Sequence, residues 1–213
     1  CSKRSARNRT LFVSCQHWEA GYYTGYEHMT GENLDLVIHL GDYIYEGPGK
    51  ESRVRSHIGA KLDTLISYRH RHAQYKSDPA LQAMHAQVPW LVTWDDHELE
   101  NNWAGAISQD NLPVDKFLAQ RANACQAYYE HMPLRRSALP NGPHMQLYGR
   151  HDFGGLARFH VLDDRQYRDH QVCPKLGRGG SNVVDDLKCP PRLETQRTLL
   201  GRGQEDWLYA GLS

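Results

Sequence analysis

The chain has 213 residues, with 25 Lys plus Arg against 25 Asp plus Glu, so its overall charge singles out neither nucleic acid nor an anionic membrane surface as a main partner. Mean hydropathy is low at −0.72, yet the apolar residues gather in short runs, which argues against disorder and for one good-sized domain or part of a larger one. No run approaches the length that spans a bilayer, and the N-terminal "CSKRSARNRT" lacks the apolar centre of a signal peptide.

The first apolar run, "TLFVSC", predicts a strand ending at Cys15, whose thiol is either buried and inert or a thiolate beside a metal. The second, "LDLVIHL", predicts a strand ending at Leu40 and runs into Gly41, Asp42, Tyr43, Tyr45 and Glu46. The Gly permits a turn there. Asp42 reads either as a helix N-cap or as a carboxylate bridging two cations, and Tyr45 either as a packed aromatic or as a ligand three residues on. A phenolate ligand would call for a strongly acidic ion such as ferric iron, because only such an ion offsets ionising a group with a pKa near ~10.

Helical spacing follows in "LDTLISYRHRHAQYKSDPALQAMHAQ", with a second helix start at Asp78 and Pro79. His70 and His72 stand two apart and would diverge on a helix, so they read as a solvated or partly buried face rather than a metal site. A third strand, "PWLVTW", ends at Trp94 and opens onto Asp95, Asp96, His97, Glu98, Glu100 and Asn101. Trp94 and Trp103 flank this cluster and favour burial, against the alternative of an acidic surface turn. Asp96 could hold a metal there while His97 serves phosphate.

A helix is predicted from about Val114 and is stopped by Pro133. The fourth run, "ARFHVLD", predicts a strand ending at Asp163 and followed by Asp164 and Arg165. That Arg suits either a planar grip on phosphate or a structural bridge to Asp164. Residues Gln171 to Pro191 read as a long loop, which Cys173 and Cys189 bracket and could close. A bridge between them would imply an oxidising compartment. A last helix is expected in "TLLGRGQEDWLYAGLS", with Trp207, Leu208 and Leu212 seeking a surface to pack on. Strands alternating with helices predict an α/β fold with parallel pairing and ligands gathered at the carboxyl ends of the strands.

The motifs "SCQ", "HLGDYIYE", "WDDHE" with "NNWAG", "LDDRQYR" and "LGRGQEDWL", in this order from about Phe12 to Leu212, resemble the PhoD-like alkaline phosphatases and phosphodiesterases of the calcineurin-like metallophosphoesterase superfamily. The resemblance implies a sandwich of two mixed sheets flanked by helices, of which residues 1–213 would be part of the catalytic domain. It implies a site with a ferric ion (Fe3+) and calcium (Ca2+), and hydrolysis of a phosphoester substrate by a metal-bound hydroxide. By motif, Cys15, Asp42 and Tyr45 become iron ligands with Asp42 bridging. Asp96, together with Asp95, serves the second metal, while His97 and Arg165 act on the phosphate. It further implies twin-Arg export to a secreted or periplasmic location, with which a Cys173–Cys189 disulfide fits. The family's small β-domain and its later "GDxH"-type segment have no counterpart in the sequence, so a further C-terminal segment supplying His ligands is expected. The competing reading is a non-catalytic relic or binding module with an incomplete metal site.

Overall fold

The computed structural model of the protein describes residues 8–180 and 182–212. Three short strands, β1 (Thr10–Val13), β2 (Leu36–His39) and β3 (Trp90–Val92), form a parallel sheet in the order β1-β2-β3. Each is two to three residues shorter than its apolar run, because the chain leaves the sheet just before the polar residues that follow. The register pairs Val13 with His39 and His39 with Val92. One sheet face therefore presents Val13, Val37, Trp90 and Val92 to the main apolar core.

The helices are α1 (Thr24–Met29), α2 (Leu65–Lys76), α3 (Pro79–Gln87), α4 (Val114–His131) and α5 (Arg202–Leu212). Thr64 caps α2 in a reciprocal arrangement with Ser67, and Asp78 caps α3 ahead of a proline at its first position. Asp78 also pairs with Arg55 at 2.7 Å, so one carboxylate ties the start of α3 to the segment after β2. Tyr68, Tyr75, Leu81, Met84, Phe117 and Tyr128 fill the core beneath the sheet and are fully buried.

The fourth predicted strand does not join the parallel sheet. It forms β5 (Ala157–Val161) and pairs antiparallel with β4 (Gly149–Phe153), a strand whose sequence "GRHDF" carries no apolar run. The described residues thus hold one parallel and one antiparallel sheet rather than a single continuous one. On the far face of the parallel sheet Phe12, Ile38 and Leu91 line a groove of about 340 Å³ that β5 closes with Phe159 and Val161. Helix α5 meets the hairpin through Trp207, which contacts Tyr148 at 4.9 Å and takes the Arg150 guanidinium over its ring, whereas Leu212, expected to pack as well, is exposed. Cys173 and Cys189 are bonded (Cα–Cα 6.1 Å) and close the long loop.

His70 is exposed, but His72 is wholly buried, not on a solvated face. It stacks on His131 at 5.1 Å with neither ring nitrogen partnered. Burial holds His72 far below the usual imidazole range, and His39, His57 and His85 are likewise pushed down, to about 3, about 4 and about 4. These imidazoles fold neutral but would protonate near ~6.5 in the unfolded chain. Their contribution to stability should therefore be complete above that pH and be lost as pH drops from ~6.5 towards ~4, by up to ~1.4 kcal/mol per pH unit for each group. Thermal melts of the metal-free protein across that window should show the slope, and His72→Phe should flatten it. A flat profile would show that these imidazoles are not neutral and enclosed.

Candidate metal centre

The three parallel strands end side by side, and backbone bonds carry their register past the sheet. Cys15 N–H donates to Gly41 O (3.1 Å), Gln16 N–H to Asp42 O (3.2 Å), and Thr93 N–H to His39 O (3.1 Å). The loops after β1, β2 and β3 are thereby stacked against one another. Gly41, at φ +111°, is required here: a Cβ on it would lie 2.4 Å from the Asp95 backbone nitrogen. Cys15 and Asp42 adopt left-handed backbone as non-glycine residues, at φ 54° and 58°. Such conformations cost of order 1–3 kcal/mol each and concentrate at functional sites.

Asp42 lies at the centre. Its Oδ2 accepts from the Tyr45 hydroxyl (3.0 Å) and its Oδ1 from the His97 backbone N–H (3.3 Å). Burial raises the Cys15 thiol, and Asp42 adds to it; burial and then Asp42 also raise the Tyr45 hydroxyl. Cys15 is exposed rather than buried and inert, and it shares its electrostatic surroundings with Asp42 and Tyr45. Ligand atoms of Asp42, Asp96 and His97 all lie within 4.8 Å of one another. The structure thus brings together Cys15, Asp42, Tyr45, Asp96 and His97 from three loops.

Arg165 binds differently from either sequence reading. Its Nε donates to Asp95 Oδ1 (2.6 Å), its Nη2 lies 3.4 Å from Asp96 Oδ1, and its Nη1 donates to Trp103 O (3.3 Å). The guanidinium is spent on the β3 loop. Burial nonetheless dominates at Asp95, and with Asp96 and Asp164 nearby its carboxyl rises to about 6 despite the Arg165 pair. Tyr43, placed by sequence among the oxygen ligands, is buried in the core with its hydroxyl on His85 Nε2 (2.9 Å).

Two acidic residues noticed in the sequence without an assigned role hold these loops. Glu46 accepts His97 Nδ1 (2.7 Å) and the Asn101 backbone N–H (2.8 Å). Glu98, 1% exposed, accepts the backbone N–H groups of Tyr43 (2.6 Å) and Asp95 (3.0 Å). Burial, then the charge of Asp42, drives the Glu98 carboxyl up to about 8. Burial alone would lower His97, but Glu46, Asp96 and Asp42 outweigh it and hold the imidazole at about 9. A second cluster, His17, Glu19 and His57, sits beside the first, with the His17 ring 4.2 Å from Tyr45. Its groups are already satisfied: His57 contacts Gly47 O and Tyr75 Oη, Glu19 accepts from Lys50 N–H, and His17 Nδ1 accepts from Glu19 N–H. It reads as a hydrogen-bonded support rather than a cation site.

The donor chemistry of the main site fits cations. Asp42, Glu46, Asp96 and Glu98 are all buried, and Glu98 is displaced upward by burial first and then by the charge of Asp42, so added positive charge would be favoured here. A thiol and a phenol share one carboxylate, a set suited to a strongly acidic metal ion whose charge replaces their protons.

Fold and site together define an α/β protein with an oxygen-rich candidate cation site at the carboxyl ends of parallel strands. The family model of the PhoD-like phosphatases matches residues 10–213, and the chain belongs to that family. It is 54% identical over 206 residues to alkaline phosphatase D of Bacillus subtilis (strain 168), covering 94% of this chain and 34% of that protein. It also superposes on a solved structure described as "Structure of PhoD" with a TM-score of 0.85 at 54% identity, covering 95% of this chain and 38% of that one. The chain therefore spans about a third of the length of these relatives.

In the metal-free protein, Glu46→Gln should lower the His97 titration, since Glu46 is the largest influence opposing burial. An NMR titration of the imidazole decides it; an unchanged midpoint would mean that the pair does not govern this ring.

Proposed function

We propose that this chain carries the metal-binding core of an enzyme that hydrolyses phosphoesters, with Fe3+ and Ca2+ as its ions. The observation that carries the reading is the meeting of Cys15, Tyr45 and Asp96 around Asp42 at the ends of three adjacent strands. Cys15, Asp42 and Tyr45 would hold the ferric ion, and Asp42 would be shared with a calcium ion beside Asp96. Bound there, the ions supply neutralisation of phosphate charge and acidification of a water molecule.

The chain's own residues do the rest. His97, anchored through Nδ1 to Glu46, would present Nε2 as a donor to a phosphate oxygen. Arg165, committed to Asp95 and Asp96, keeps both carboxylates in place and would add its charge to the phosphate's surroundings without offering a free fork. Asp95 belongs to the rim, where it anchors Arg165. Calcium takes about 6–8 oxygen ligands, so further donors come from water, from substrate or from another part of the polypeptide. Residues 1–213 are then part of a larger catalytic domain. The disulfide supports an oxidising compartment, in keeping with export.

The purified protein should contain iron and calcium and hydrolyse a chromogenic phosphate ester. Chelation should abolish turnover, and returning both ions should restore it. Asp42→Ala should cost at least about a thousandfold in kcat/KM with the fold intact, the scale of losing a principal stabiliser of transition-state charge. Tyr45→Phe should remove the visible phenolate-to-iron absorption. Turnover that survives chelation or Asp42→Ala would overturn the proposal, and a protein that takes up no metal would be a binding module instead.

A further inference from the structure

Glu98 belongs to neither a proposed metal ligand set nor a substrate contact, yet it is among the most enclosed acidic side chains in the protein. Its two oxygens face different loops. Oε1 accepts the N–H of Tyr43, the residue directly after Asp42, across 55 positions of sequence, and Oε2 accepts the N–H of Asp95, directly before Asp96. The loops approach too closely for any side chain on Gly41, whose Cβ would meet Asp95. A carboxyl group is suited to this gap, because its two oxygens stand at fixed separation and each accepts one backbone N–H.

The alternatives for Glu98 are weaker. It pairs with no cation among the described residues, so it is not half of an ion pair. It begins no helix, so it is not a cap. Burying an acidic group without a cation is costly, and such a group persists where its hydrogen bonds fix something else.

We propose that Glu98 is a positioning residue for the metal centre, setting the separation of the Asp42 loop from the Asp96 loop by clamping the backbone N–H groups of Tyr43 and Asp95. The proposal rests on the metal-centre reading above. Glu98 acts through these two amides and touches no reacting atom. Its removal would let the Asp42 and Asp96 carboxylates drift apart, and supporting contacts of this kind typically govern metal affinity by about 10–100-fold.

Glu98→Gln tests this, since Gln keeps the size but turns one acceptor into a donor that must face a backbone N–H. In the metal-free protein, hydrogen exchange at the Tyr43 and Asp95 amides should accelerate at least tenfold. Calcium and iron affinity should fall about 10–100-fold. Tyr68→Phe is the control: its hydroxyl donates to Leu99 O (2.8 Å) in the same buried region but reaches neither loop amide. That variant should lose thermal stability while keeping wild-type metal affinity and exchange at the two amides. If Glu98→Gln fails to fold, Glu98→Asp, which keeps the charge but shortens the reach, should move the same readouts in the same direction. Wild-type exchange and affinity in the folded Glu98 variants, or an equal loss of affinity in Tyr68→Phe, would overturn the proposal. Absence of metal uptake by the unaltered protein would instead refute the metal-centre reading, and exchange at the two amides would still decide whether Glu98 clamps the loops.

Discussion

The enclosure of four acidic side chains in two adjoining loops is the constraint around which this structure is arranged. Asp42, Glu46, Asp96 and Glu98 come from two loops and are each less than a tenth exposed. In a medium of low dielectric such a group stays charged only if hydrogen bonds or cations meet it. The fold supplies backbone N–H groups from Tyr43, Asp95, His97, Asn101 and Asn102, the Tyr45 hydroxyl, the His97 ring and the Arg165 guanidinium. Burial, and after it the charge of Asp42, still drives the Glu98 carboxyl upward, so a positive charge placed here would be favoured.

That requirement explains local features which otherwise look costly. Left-handed backbone at Cys15 and Asp42 turns both side chains out of the strand direction immediately beyond β1 and β2. Gly41 allows the β2 and β3 loops to touch. Trp94 and Trp103, fully buried and in edge contact at 5.6 Å, flank the β3 loop within the core. Ligand placement, turn chemistry and core packing are one problem here: looser packing or a bulkier residue at 41 would separate the carboxylates.

The parallel sheet was legible because each strand is a short apolar run that stops at ligand-type residues, and Asp42, Tyr45, Asp96 and His97 were legible from the density of donors at those stops. Strand β4 was not, since "GRHDF" lies half exposed in a two-stranded hairpin and needs no apolar pattern. Nor was α1, six residues with no side-chain cap. The partners of Arg165 could not be read either. Asp164 is its sequence neighbour, whereas Asp95 is 70 residues away and meets it only through the fold. The same holds for Glu98, whose role depends on an amide 55 residues distant. Sequence shows which residues can bind a cation; the spacing of the loops is a property of tertiary packing.

The central claim is that one cation replaces the protons shared by Cys15, Tyr45 and Asp42. X-ray absorption at the iron edge of the purified protein measures this most directly. The account predicts ferric iron with one sulfur neighbour among oxygen and nitrogen ligands, the sulfur lost in Cys15→Ser. Iron with no sulfur neighbour, or a spectrum unchanged by that substitution, would contradict it.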